Sequence, residues 1–291
     1  MISTRTQASG TRGAALLGAL FAALAVPAAA RADDVEFTAR YNVRLAILPF
    51  TFATGTVKAV LPENGRYTVD FDAKGMGFAM NGKASGIVQA NVLWPVSSVT
   101  SSSDSSVTRR ISIAMSRGRV QQEEVDPPLP YRPDRVPLTA EHRKGVIDPI
   151  SAVLMPQLSK GGPGEPGNCD RTLPVFEGTE RFDIRLSYLR TEIVKTLKGY
   201  EGPAVVCRAS YKAIAGHRQK GSAQSMEKNR SIEAWLAPVE GTQMMAPWRV
   251  SFMTAFGMLV LEAAEFTSSA AAEKKAETVS VQPVSETGTA R

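Results

Sequence analysis

Residues 181–188 read Arg181-Phe182-Asp183-Ile184-Arg185-Leu186-Ser187-Tyr188. Phe182, Ile184, Leu186 and Tyr188 share one side, and Asp183, Arg185 and Ser187 the other. A period of two is the signature of an antiparallel strand with one buried and one wet face. The same rhythm recurs along the chain: Tyr41, Val43, Leu45 and Ile47; Tyr67, Val69 and Phe71; Ile111, Ile113 and Met115. It continues through Val205, Cys207, Ala209 and Tyr211, then Ile232, Ala234 and Leu236, then Val250 and Phe252, and ends at Leu259 and Leu261. Asn64-Gly65, Asn81-Gly82 and the Gly199 to Pro203 stretch carry turn chemistry between such runs, because Asn-Gly accepts the positive φ a tight hairpin needs. Regular strands parted by turns predict an all-β fold. The expected form is a strongly curved antiparallel sheet, as a half-barrel, β-spiral or open barrel.

One stretch breaks the rhythm. Asp126-Pro127-Pro128-Leu129-Pro130-Tyr131-Arg132-Pro133 is too rich in proline for a central strand and reads as an extended connection. Asp148 then offers an N-cap and Pro149 a first helical position, for a short helix through Val153, Leu154 and Met155 that Pro156 stops. A Gly/Pro-rich loop from Ser159 to Asn168 follows. Residues 33–267 are therefore expected to form a single β-rich domain with an insert at 126–168. Its Pro127 to Leu158 portion is placed to plug or cover the concave side of the sheet. Residues 268–291 are Ala, Glu, Lys, Ser and Thr-rich and too poor in large apolar groups to offset ordering entropy, so a disordered tail is expected there.

Compartment is read from the other end. Arg5 and Arg12 precede the small-apolar run Gly13 to Val26, Pro27 breaks it, and Ala30-Arg31-Ala32 offers a small-x-small site. That is the pattern of a cleaved signal peptide over residues 1–32, cut after Ala32, and it predicts a periplasmic product. Processing would leave 259 of the 291 residues and lower the formal charge from +6 to +3. No later apolar run reaches the roughly 20 residues of a membrane span, and no cysteine follows the cut to take a lipid anchor. Nucleic acid is not an expected partner. Cys169 and Cys207, the only cysteines, are expected to form one disulfide in an oxidising compartment.

Chemistry-bearing motifs are sparse. The two histidines, His142 and His217, lack metal-ligand spacing, so neither a metal nor a cofactor is expected. Ser225-Met226-Glu227-Lys228 has the Ser-x-x-Lys spacing of penicillin-recognising enzymes without its Lys-Thr-Gly and Ser-Asp-Asn companions, and there is no Gly-x-Ser-x-Gly elbow. The segment holding Arg208, Lys212, His217, Arg218 and Lys220 is the candidate anion contact. It reads either as a cationic hairpin that docks phosphate or carboxylate groups, or as a solvated loop whose charges alternation scatters. Met244, Met245, Met253 and Met258 with Trp248, Phe252 and Phe256 would line an adaptable pocket or fill a core. Trp235 falls on the polar side of its strand and is expected to be exposed.

From Cys169-Asp170-Arg171 onward the chain resembles an uncharacterised domain-of-unknown-function family of exported proteobacterial proteins. The likeness rests on Val175-Phe176-Glu177-Gly178, Arg181-Phe182-Asp183, Gly202-Pro203, Val206-Cys207, Gly216-His217-Arg218 and Trp235-Leu236-Ala237-Pro238. It is more loosely similar to the β-spiral envelope-integrity proteins of alphaproteobacteria. The resemblance implies a β-rich periplasmic protein and assigns no catalytic residue. The leading expectation is a non-catalytic envelope protein that binds lipid or another envelope component on an apolar concave face. Its rivals are a cell-wall or lipid hydrolase using His217 as general base, and a protein–protein scaffold. Oligomeric state is left open.

Overall fold

The computed structural model describes residues 34–273 apart from Pro49, Glu63 and Ser105. The expected leader and its cleavage site lie outside the described residues. Seven strands come first: β1 (Val35–Leu45), β2 (Ala53–Leu61), β3 (Arg66–Gly75), β4 (Phe78–Gln89), β5 (Val92–Asp104), β6 (Thr108–Ser116) and β7 (Arg119–Asp126). The insert follows and carries the two-residue β8 (Met155–Pro156). Then come β9 (Arg171–Phe176), β10 (Arg181–Lys195), the short β11 (Lys198–Gly199) and β12 (Glu201–Ala215). The chain closes with α1 (Ser222–Lys228), β13 (Glu233–Val239), β14 (Met244–Thr254) and β15 (Gly257–Ser268).

All the strands join one sheet in the order β7-β6-β5-β4-β3-β2-β1-β15-β14-β13-β12-β10-β9, with β8 added on β14 and β11 on β15. The β1–β15 pair unites the two halves of the chain, running from Phe37 opposite Ser268 to Leu45 opposite Leu259. The sheet is not closed by its own strands. Residues 144–147 of the insert bridge the gap instead. Arg119 pairs with Lys144, and Ile147 pairs with Val175. Val146 N donates to Gly118 O, Ile147 N to Pro174 O and Phe176 N to Ile147 O, each at 2.9 Å. Ile113, Met115, Val120, Val146 and Phe176 pack beneath this seam.

The concave side is filled by side chains, not left as an open apolar face. Phe37, Tyr67, Val69, Trp248 and Phe266 belong to one buried cluster with Ile150 and Leu154 from the insert. The Tyr67 hydroxyl donates to Ser151 Oγ at 2.8 Å, tying the plug to β3. Gly82 makes room for it, since a Cβ there would lie 2.5 Å from Ile150 Cδ1 and 2.8 Å from the Val99 carbonyl oxygen. That packing explains why Asn81-Gly82 sits inside β4 and is no turn. The reversal falls a few residues earlier, at Met76-Gly77, with Gly77 at φ 79°. Asn64-Gly65 is the turn it reads as, with Gly65 at φ 76°.

Three other expectations change. The helix expected after Asp148 is a single 3-10 turn, Ser151–Val153, because the chain must extend at Met155 to pair with Met245. An α-helix, α1, forms instead in the segment read as a cationic hairpin. The one-wet-face rule also fails in the C-terminal half, where Ala204, Val205, Val206 and Cys207 are all fully buried. A second cluster on the other face there joins Cys169, Leu186, Val205, Leu236, Met245 and the insert's Met155. Finally, Ser268 closes β15 and residues 269–273 are helical, so the first part of the expected tail is ordered.

Candidate functional site

Cys169 and Cys207 form the expected disulfide, with Cα atoms 5.5 Å apart and both residues fully buried. It fastens the 3-10 turn Pro166–Cys169 to β12. The five candidate anion contacts are not gathered into one site. Arg208 and Lys212 are exposed on β12, while His217, Arg218 and Lys220 lie in the loop before α1. That loop docks on the insert: Arg218 Nε pairs with Asp134 Oδ2 at 2.9 Å and the His217 carbonyl accepts from Val136 N. His217 makes no side-chain hydrogen bond among the described residues, and its Nδ1 is buried without a partner. Ser225 Oγ donates to Gly221 O and Glu227 accepts from Ala213 N, so the Ser-x-x-Lys segment serves helix α1 and its dock on β12. Trp235 is buried, not exposed. Its Nε1 donates to Glu192 at 2.7 Å, and the guanidinium carbons of Arg190 and Arg249 stand 5.3 and 4.8 Å from its ring centroid.

A different place holds space. At one end of the seam a cavity of about 430 Å³ lies between the β4–β5 turn, the β6–β7 turn, the insert and β9. Two-residue turns with positive φ shape its rim, Ala90-Asn91 at 49° and 59° and Arg117-Gly118 at 49° and 69°. Mirror-image turns of this kind match the twist of paired strands. Leu93, Trp94, Val146, Leu154, Met155 and Leu173 give it an apolar wall, and no Asp or Glu lines it.

Arg171 belongs to that wall. Its Nε donates to Asn168 O at 3.1 Å and its Nη2 to Pro156 O at 2.8 Å. Among the described residues Nη1 donates to no protein group and no carboxylate pairs with the guanidinium. Burial alone pushes it down to about 10 from the ordinary arginine value. A half-buried cation held only by carbonyl dipoles is costly, because nothing repays its lost hydration. Its geometry is fixed from behind. Asn168, itself fully buried, accepts from Leu158 N and Ser159 N and donates to Gly162 O, and the neighbouring Cys169 is bridged. Chemically, the arrangement fits a molecule with an apolar body and one anionic group.

The profile of a protein family described as "Protein of unknown function (DUF3108)" matches residues 36–264, from β1 into β15. The chain belongs to this family. No curated protein and no solved structure matches it. The DUF3108 region takes in the disulfide, both sheet edges, the insert and Arg171, so the seam and its cavity lie wholly within it.

One buried and one half-buried carboxyl group complete the polar inventory of this DUF3108 domain. Asp148 is fully buried. Its Oδ1 accepts from Ile150 N and Ser151 N at 3.0 and 2.9 Å, while Oδ2 has no partner. Desolvation holds its carboxyl above the usual range. Glu177, in the β9–β10 loop, accepts from the Thr179 hydroxyl and is likewise raised by burial. It stands beside a smaller recess of about 270 Å³ lined by Phe71, Met80, Ile111 and Ile150. Among the described residues no three His, Cys, Asp or Glu side chains gather in a metal-binding arrangement.

Proposed function

We propose that this chain is a non-catalytic binding protein of the periplasm that holds an anionic amphiphile of the cell envelope. The apolar part of the ligand occupies the seam cavity, and its carboxylate or phosphate meets Arg171. The observation that carries this reading is the guanidinium without an anionic partner in the wall of an apolar cavity free of acids. A ligand headgroup there supplies the missing counter-charge through a charge-assisted hydrogen bond. The cavity is within the ~300–1,000 Å³ of small-molecule sites. The exported location rests on the leader pattern of residues 1–32 and agrees with the disulfide.

Native mass spectrometry of the protein recovered from its own cells, before and after organic extraction, tests the proposal. A reproducible excess mass in the lipid range is expected, removed by extraction and absent from Arg171→Gln. A clean apo mass, together with no thermal shift on adding oleate or a phosphatidic acid, would refute it.

A further inference from the structure

The antiparallel order places four successive tips on one rim of the sheet: β14–β15, β1–β2, β3–β4 and β5–β6. They are contiguous, since Ala46 N donates to Met258 O at 2.8 Å across the first two. Each tip ends in exposed large apolar side chains. Phe256 is 81% exposed, Ile47 77% and Met76 78%, with Phe50, Phe78, Met253 and Val107 also open to solvent. The opposite rim is built otherwise. Its turns read Asn64-Gly65, Ala90-Asn91, Arg117-Gly118 and Glu240-Gly241-Thr242, and its exposed apolar residues are Leu197 and Val92 in or beside turns and Ile193 and Ile87 on strand ends. Solvated turn tips are normally polar, and apolar ones grouped on one rim mark a contact surface.

Charge identifies what the surface contacts. Lys74, Arg109 and Arg110, which make no ion pair among the described residues, occupy the strand ends beside these tips, with Arg44, paired to Glu262 at 3.9 Å, next to them. The only carboxylate in the tips, Asp104, is turned in on its own loop, where it accepts from Ser106 N, Ser106 Oγ and Val107 N at 2.8, 2.7 and 3.0 Å. Apolar side chains that project singly from turns, backed by Lys74, Arg109 and Arg110, suit the headgroup zone of an anionic bilayer. The side chains enter the acyl boundary and the cations stay among phosphates. We infer that this rim docks the protein on an anionic membrane surface, with tips β14–β15, β1–β2, β3–β4 and β5–β6 inserted at the interface.

The seam cavity opens among turns of the other rim, so membrane docking is a second activity with its own determinants. Flotation with vesicles of phosphatidylethanolamine and phosphatidylglycerol tests it on the protein as its cells process it, with its N-terminus read by mass spectrometry. The double variant Phe256→Ser/Met76→Ser should lower partitioning roughly tenfold or more. Lys74→Gln/Arg109→Gln should lower it several-fold in low salt and little in high salt. Arg171→Gln should leave it unchanged. Because the chain has no free cysteine, an environment-sensitive dye on Phe256→Cys should shift to the blue on vesicles, and one on Glu240→Cys should not. Equal partitioning of wild type and rim variants, an equal dye response at both rims, or a wild-type dimer that Phe256→Ser/Met76→Ser abolishes would each overturn the inference. The last would mean that a second copy covers the rim.

Discussion

The two halves of the sheet solve the problem of burial differently. β1 to β7 form a meander with one face packed and one wet, and β2 alternates buried and open positions along its whole length. β12 to β14 are packed on both faces, the concave cluster on one side and the disulfide-bearing cluster on the other. The first half depends on what fills its single packed face, the insert residues Ile150 and Leu154. The second depends on the turn that Cys169 pins over its outer face. A strand wet on one side is stabilised by fit against one neighbour layer, and a strand covered on both sides by keeping both covers in place.

Removing the pin should have the largest effect. Cys169→Ala/Cys207→Ala frees a loop with a sequence separation of 38, and the chain-entropy model gives a loss of about 4 kcal/mol. Denaturant unfolding should show it, with hydrogen exchange rising first in β12 and β13. Exchange rising equally in β2 and β3 would mean that the two halves share one fate and the contrast is false. Filling the notch in the other half should cost less. Gly82→Val forces a side chain against Ile150 Cδ1 and the Val99 carbonyl, an overpacking penalty of about 1–3 kcal/mol. Its exchange signature should fall on β3, β4 and residues 148–154, with β12 spared.

The smallest effect sharpens the comparison at the insert that serves both halves. Asp148 is held protonated more readily in the fold than in the unfolded chain, so its contribution is most favourable at low pH. Stability then falls as pH rises from the ordinary carboxyl range through the raised native value. Asp148→Asn keeps an oxygen for Ile150 N and Ser151 N and does not titrate. The melting temperature of the variant minus that of wild type should therefore increase from pH 4 to pH 7. A difference flat across that range would show that Asp148 carries the same charge in both states.

These contrasts were unequally legible in the sequence. Alternation reads directly in the first half, because one wet face forces polar residues onto every second position. In the second half it misplaces Trp235, whose polar-side position is buried between Arg190 and Arg249. Asn64-Gly65 and Asn81-Gly82 are alike locally, and only the later Ile150 decides that the second is a strand. The Ala90-Asn91 turn carries no glycine to announce it. α1 had a usable signal in the helix formers Ala223, Gln224, Met226, Glu227 and Lys228. The candidate site was the least visible part. Arg171 looks like any polar residue beside a cysteine, and the lack of a facing carboxylate is a property of the fold, not of the neighbouring residues.

The seam also bears on how such a chain goes wrong. An open sheet ends in two strand edges, and unpaired edges recruit other strands. Here a single four-residue segment, 144–147, bridges both at once, pairing with Arg119 at the start of β7 and with Val175 in β9. If it lifts, β7 and β9 become free together on the same molecule. The contact then available is heterologous, with β9 of one copy laid along β7 of the next. Where its rotation does not close a ring, such a contact adds copies without end, and the expected misassembly is a growing linear polymer.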